Sequence, residues 1–149
     1  MRRVLPMLAV WLSVPLAVHP AAAQPAPAVP GTGAATSRVI PLDGDDWLLA
    51  PDPKNTGRRQ EWFRASRPEA KRTKVPWIIQ DAFPGYHGVA WYWRTLAPPA
   101  NPHPQGRYLL RFWAVDYKAD VWLGGKPVGG LEGGESPFTL DVTEAVKPG

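Results

Sequence analysis

The sequence predicts an all-β protein built as an antiparallel sandwich, and three features carry that expectation. Short aromatic or β-branched runs recur between Pro, Gly and Asn breaks: "VPWII", "GVAWYWRTLA", "GRYLLRFWA", "KADVWLGGKPVGG" and "SPFTLDV". No window keeps a 3.6-residue apolar period over ten or more residues, so long helices are not expected. Without helical connectors long enough for parallel crossovers, the strands are expected to pair antiparallel.

The elements follow in chain order. "MRRVLPMLAVWLSVPLAVHPAAAQ" sets Arg2 and Arg3 before an apolar run over residues 4–18, then Ala21, Ala22 and Ala23. That order is a secretory signal over residues 1–23, cut before Gln24, so the protein is expected to be exported, periplasmic or extracellular. The apolar run is short and broken by Pro6 and Pro15, which argues against a stable membrane anchor. Residues 24–37, "QPAPAVPGTGAATS", form a Pro/Ala/Gly-rich linker with too little apolar surface to order itself.

The folded domain is expected over residues 38–149, with a turn at residues 43–46 inside "RVIPLDGDDWLL". The sequence has no cysteine, so burial rather than disulfides must hold an exported domain together. In "GVAWYWRTL", Val89, Trp91, Trp93 and Thr95 share one strand face and Ala90, Tyr92, Arg94 and Leu96 the other. Aromatics on both faces imply that both are partly covered. In "VWLGGKPV", Gly124 and Gly125 supply the two positive-φ positions of a type I′ turn, so Lys118–Leu123 should pair with residues 126–128. Asp141 and Glu144 stand three apart, the spacing of a capping box on a single helical turn.

Charge is a weak guide. Of 17 Lys and Arg, Arg2 and Arg3 belong to the signal, against 13 Asp and Glu in all. Residues 54–74 hold eight basic side chains facing only Glu61 and Glu69. A nucleic-acid groove can look like that, but a solvated loop is the better reading and export makes nucleic acid a poor partner. A catalytic search finds no complete site. His87 and His103 have no Cys or acidic neighbour at ligand spacing, so no metal is expected. Ser136 lacks the flanking glycine of a nucleophile elbow, and no phosphate or dinucleotide fingerprint occurs, so no cofactor is expected. Glu132 and Glu135 share one loop, a poor arrangement for two carboxylates flanking a glycosidic bond.

The aromatic load is the informative feature. Trp47, Trp62, Trp77, Trp91, Trp93, Trp113 and Trp122 all follow Gln24. Flat rings can stack on the apolar face of a sugar while polar groups around them read hydroxyls. For any single tryptophan, core packing is the favoured alternative, because each ring buries a large apolar area at about 25 cal/mol per Å².

"YHGVAWYWRTL", "LLRFWAVDYKADVWLGGKPVGGLEGGESPFTLDVTEAVKPG" and, upstream, "DPKNTGRRQEWF" and "VPW" resemble the N-terminal sugar-binding domain of glycoside hydrolase family 2. This family holds β-galactosidases, β-glucuronidases and β-mannosidases. The resemblance covers residues 42–149 and implies an antiparallel jelly-roll β-sandwich of the galactose-binding-domain-like type. It also implies that immunoglobulin-like and (β/α)8-barrel domains follow, the barrel carrying the two glutamates of a retaining mechanism. None of that machinery maps onto this chain. The family's jelly roll contributes an edge of the substrate pocket through the strand matched here by residues 91–94. Trp91, Trp93 and Arg94 are therefore the candidates for carbohydrate contact, with Asp116 a weaker fourth whose alternative is a self-bonded turn. Gly124-Gly125 replaces the family's Asn-Gly, Trp93 stands at a commonly basic position, and Glu135 stands where an aromatic is frequent.

The leading expectation is the non-catalytic, carbohydrate-binding portion of an exported retaining β-glycosidase. Two other readings are a free-standing carbohydrate-binding module and a purely structural jelly roll with every tryptophan buried. "SPFTLDVTEAVKPG" reads as a cut before the domain's last strands. Residues 24–149 alone are then expected to be poorly soluble or only partly folded, because unpaired strand edges and apolar core would be exposed.

Overall fold

The computed structural model describes residues 37–146; the expected signal (residues 1–23) and the expected linker up to residue 36 lie outside the described residues. The chain divides at Val39 and Ile40. Residues 37–39 carry no regular structure, and every strand among the described residues lies in the second unit, Ile40–Gly149.

Seven strands form among the described residues: β1 (Gly44–Pro51), β2 (Lys71–Val75), β3 (Ala90–Trp93), β4 (Leu109–Phe112), β5 (Lys118–Leu123), β6 (Lys126–Glu132) and β7 (Phe138–Asp141). A 3-10 turn (Trp62–Arg64) and one short helix, α1 (Ile79–Ala82), complete the elements. The strands build sheets β2-β1-β3, β4-β7 and β5-β6, and every pairing is antiparallel, as the sequence predicts. No helix among the described residues is long and apolar enough to cross a membrane.

β1 is the central strand, and its burial shows it. Leu49 and Ala50 are consecutive, so they point to opposite faces, and both are fully buried. Leu49 shares its face with Tyr92, directly opposite on β3, while Ala50 lies opposite Trp91 and Leu48 opposite Trp93. The two faces of β3 are covered unequally: Trp91 and Trp93 are half-buried, whereas Tyr92 is 40% exposed. In the β4-β7 sheet, Phe112 and Phe138 are cross-strand partners whose rings stack 4.7 Å apart.

The β5-β6 hairpin forms where its glycines predict. Gly124 and Gly125 have φ of 56° and 77°, and pairing runs past the expected residues 126–128 to Lys118 opposite Glu132. Gly124→Asn should leave stability unchanged within about 0.5 kcal/mol, whereas Gly124→Val should cost about 1–2 kcal/mol, because a branched side chain is strained at positive φ. Urea midpoints of the two variants test this.

Four expectations are corrected. "VPWII" is not a strand: Val75 ends β2, a cis bond joins it to Pro76, and the chain passes through Trp77 and Ile78 into α1. The basic stretch is not all loop, because Lys71–Val75 is an edge strand held by its pairing to β1. Residues 43–46 do not turn; Asp43 leads straight into β1, whose first residues are irregular, with a register shift between Gly44 and Trp47. The turn after β7 forms through the Val146 N–H to the Val142 carbonyl (3.0 Å), but its cap is Asp141 accepting from the Thr143 N–H (3.0 Å) and hydroxyl (2.6 Å) rather than a box with Glu144.

Candidate functional site

The residues between β1 and β2 fold back over the Ala50 face of the central sheet. "DPKNTGRRQEWF" begins with Asp52, whose N–H donates to the Val89 carbonyl at 2.7 Å and ties the loop to the start of β3. The Asp52 side chain is 2% exposed. Its Oδ1 accepts from the Thr56 N–H (2.9 Å), and its Oδ2 from the Gly57 N–H (2.7 Å) and the Trp91 indole N–H (3.1 Å). Burial opposes ionisation of this carboxyl, but the three donors together outweigh it and hold its pKa below the usual carboxylate range.

Gly57 is needed at close quarters. A Cβ there would fall 2.7 Å from Trp91 Cε2 and 2.8 Å from Asp52 Oδ2. Gly57→Ala should therefore cost about 1–3 kcal/mol by overpacking, read as a lowered thermal midpoint.

Trp91 is the centre of an aromatic cluster. Its ring lies 5.1 Å from Trp122 on β5, 6.2 Å from Trp62 and 6.3 Å from Trp93. Trp122 in turn stacks on Phe63 at 5.4 Å. Trp93 donates its indole N–H to the Trp62 carbonyl at 2.8 Å, and Arg67 lies over the buried Trp62 ring at 5.0 Å. Both candidate tryptophans thus spend their N–H groups on the scaffold, and the faces of Trp91 meet other rings.

Arg94 is also engaged within the chain. Its guanidinium donates to the Leu42 carbonyl, to the Asp43 carbonyl at 3.2 Å and to Asp46 at 3.5 Å, and it lies 5.8 Å from the Trp47 ring. Trp47 donates its own N–H to the same Leu42 carbonyl at 2.7 Å. Arg94→Met should release this entry segment, raising its limited-proteolysis rate roughly tenfold, since charge-assisted hydrogen bonds of this kind are worth more than neutral ones.

Asp116 stands apart from these three. It is exposed on the connection between β4 and β5, beside Gly134, at the open end of the hairpin. Trp122 lies near the closed end, about 13 Å further along the strand at 3.3 Å per residue. Asp116 has no side-chain hydrogen bond to its own backbone among the described residues, so the self-bonded turn does not form. The structure brings Trp91 and Trp93 together on one face of β3; Arg94 lies on the opposite face with the entry segment of β1, and Asp116 is brought to none of them.

Sequence reasoning missed Asp52. Its signal was present in "DPKNTG", where an acidic residue precedes backbone donors four and five positions on. The donor that completes the site, Trp91, is 39 residues away.

Several relatives of this chain are β-glucuronidases. It is 32% identical over 108 residues to a β-glucuronidase of Paenibacillus borealis and 32% identical over 108 residues to that of Canis lupus familiaris. The chain is homologous to part of the β-glucuronidases. β-Glucuronidases are one group within glycoside hydrolase family 2, the family whose N-terminal domain the motifs resemble. The alignment takes in 69% of this chain but only 18% of the Paenibacillus protein, and 66% against 17% for the dog protein. Solved β-glucuronidase structures agree: that from an uncultured Clostridium sp. superposes with a TM-score of 0.64 at 30% identity, over 72% of this chain and 20% of the other. The Lactobacillus rhamnosus enzyme gives 0.63 at 32% identity, over 72% and 19%. No family model matches the sequence. With these β-glucuronidase likenesses, the antiparallel sheets are assigned to the jelly-roll sandwich that the motifs imply.

Proposed function

We propose that residues 38–149 form the carbohydrate-facing jelly roll of an exported retaining β-glycoside hydrolase, with a glucuronide as substrate and the two catalytic carboxylates outside this sequence. The observation that supports it best is the 32% identity carried through 108 residues of a β-glucuronidase while spanning only 18% of that protein's length. A retaining mechanism needs one carboxylate as nucleophile and one as acid/base, about 5–5.5 Å apart across the scissile bond. Here the most buried carboxylate, Asp52, is saturated by three donors, which suits it to holding the Trp91 strand and not to attacking a sugar.

In this reading the loop from Asp52 to Trp62 fixes the Trp91–Arg94 strand at the rim of a pocket whose floor the rest of the protein supplies. The signal directs export, so the amino terminus of the exported protein is Gln24. The test is to extend the coding sequence past codon 149, express the whole reading frame and assay p-nitrophenyl β-D-glucuronide beside the galactoside. Hydrolysis of the glucuronide with retained configuration is expected. A reading frame that stops after Gly149, or a whole protein that cleaves only the galactoside, overturns the proposal.

A further inference from the structure

The outer part of the β5-β6 hairpin carries a hollow of about 340 Å³ that shares Trp122 with the aromatic cluster and includes no residue of the entry segment. Its walls are Arg58, Lys118, Asp120, Trp122 and Glu132. Lys118, Asp120 and Trp122 alternate along β5 and so project from one face, and Glu132 lies directly opposite Lys118 on β6. The residues opposite Asp120 and Val121 are Gly130 and Gly129, so that stretch of the floor is bare backbone. A Cβ on Gly130 would meet the Ala119 carbonyl, and Gly129 sits at a φ of 129° that disfavours any side chain.

The polar groups are held but not saturated. Arg58 and Asp120 approach to 3.9 Å, too far for a hydrogen bond, with side chains 68% and 43% exposed. Lys118 donates to Glu132 Oε2 at 2.9 Å, and the Tyr117 hydroxyl lies 3.4 Å from Oε1. That hydrogen bond from Lys118 keeps the Glu132 carboxyl below its usual pKa, so it is an ionised acceptor at neutral pH and unsuited to act as a general acid. Trp122 forms a fixed apolar wall, because its ring is stacked on Phe63.

From this arrangement we infer that the β5-β6 hollow is a second carbohydrate site that takes one uncharged pyranose unit of a glycan. Two anions and two cations leave the lining with no net charge, which gives no preference for an anionic ligand. Carboxylates at Asp120 and Glu132 can each accept from neighbouring sugar hydroxyls, and the free donors of Arg58 can reach a ring or hydroxyl oxygen. The volume lies at the small end of ligand pockets and fits a single ring, not an oligosaccharide.

The test titrates the whole protein, expressed from the extended reading frame, with methyl β-D-glucopyranoside, galactopyranoside and mannopyranoside, following tryptophan fluorescence. At least one is expected to bind saturably with a Kd of about 1 mM, a value in keeping with a ligand of this size. Asp120→Asn and Glu132→Gln should each weaken that binding about tenfold while far-ultraviolet circular dichroism stays unchanged, since both side chains are exposed. Three results overturn the inference: no saturation by any of the three up to about 100 mM, binding of sodium glucuronate in place of the uncharged sugars, or full affinity in both variants. None depends on whether the whole protein cleaves glucuronides.

Discussion

Asp52→Ala should lower folding stability by about 3–5 kcal/mol, the cost of stripping a buried ionised acceptor from three donors at once. The donors are the Thr56 and Gly57 N–H groups and the Trp91 indole, and two of them cannot turn to water without opening the loop. Asp52→Asn should cost less, about 2 kcal/mol, because one amide oxygen can still accept while the NH2 confronts another donor. Urea midpoints at neutral pH measure both. A loss under about 1 kcal/mol for the alanine variant would show that the carboxylate does not hold the loop.

The same residue sets an acid limit. Its folded pKa is depressed, so its contribution is complete above the unfolded-state value of about 3.9 and disappears as pH falls through the lower folded value. Wild-type stability should therefore fall below about pH 4 more steeply than that of Asp52→Asn, which lacks this titration.

Trp91→Ala should cost about 3–5 kcal/mol, as removal of a large ring from a packed cluster usually does. The ring fills the space between Trp62, Trp93 and Trp122 and donates to Asp52, so its loss both opens a cavity and removes one of the carboxylate's donors. A double-mutant cycle with Asp52→Asn should show coupling of at least about 1 kcal/mol, since the two side chains share a hydrogen bond. A purely sugar-stacking tryptophan would behave differently: its alanine variant would keep full stability and lose only ligand affinity. Thermal melts beside sugar titrations separate the two roles.

How legible the fold was depended on how local its causes are. Gly124 and Gly125 specify their turn through their own φ values, and the hairpin appeared with it. The alternation around Trp91 and Trp93 placed both on one face of β3. "KRTKV" could not be read as a strand, because its charges give no apolar alternation; β2 exists through backbone pairing to Leu48 and Leu49. "VPWII" carried strand composition yet bends at Val75-Pro76 and leads into α1. Trp77 and Ile78 are left 50% and 62% exposed, which composition alone would not suggest.

The sequence by itself determined the all-β antiparallel class, the β5-β6 turn and the kinship with family 2 glycosidases, because those rest on local backbone chemistry and on words of sequence. Only the tertiary structure decided what the candidate residues do. Trp91, Trp93 and Arg94 look like a sugar-facing strand in isolation, yet their donors are spent on Asp52, Trp62 and Leu42. Those partners lie 31 to 52 residues away, and hydrogen-bond saturation between such distant groups is fixed by the packing of sheets, which no local pattern encodes.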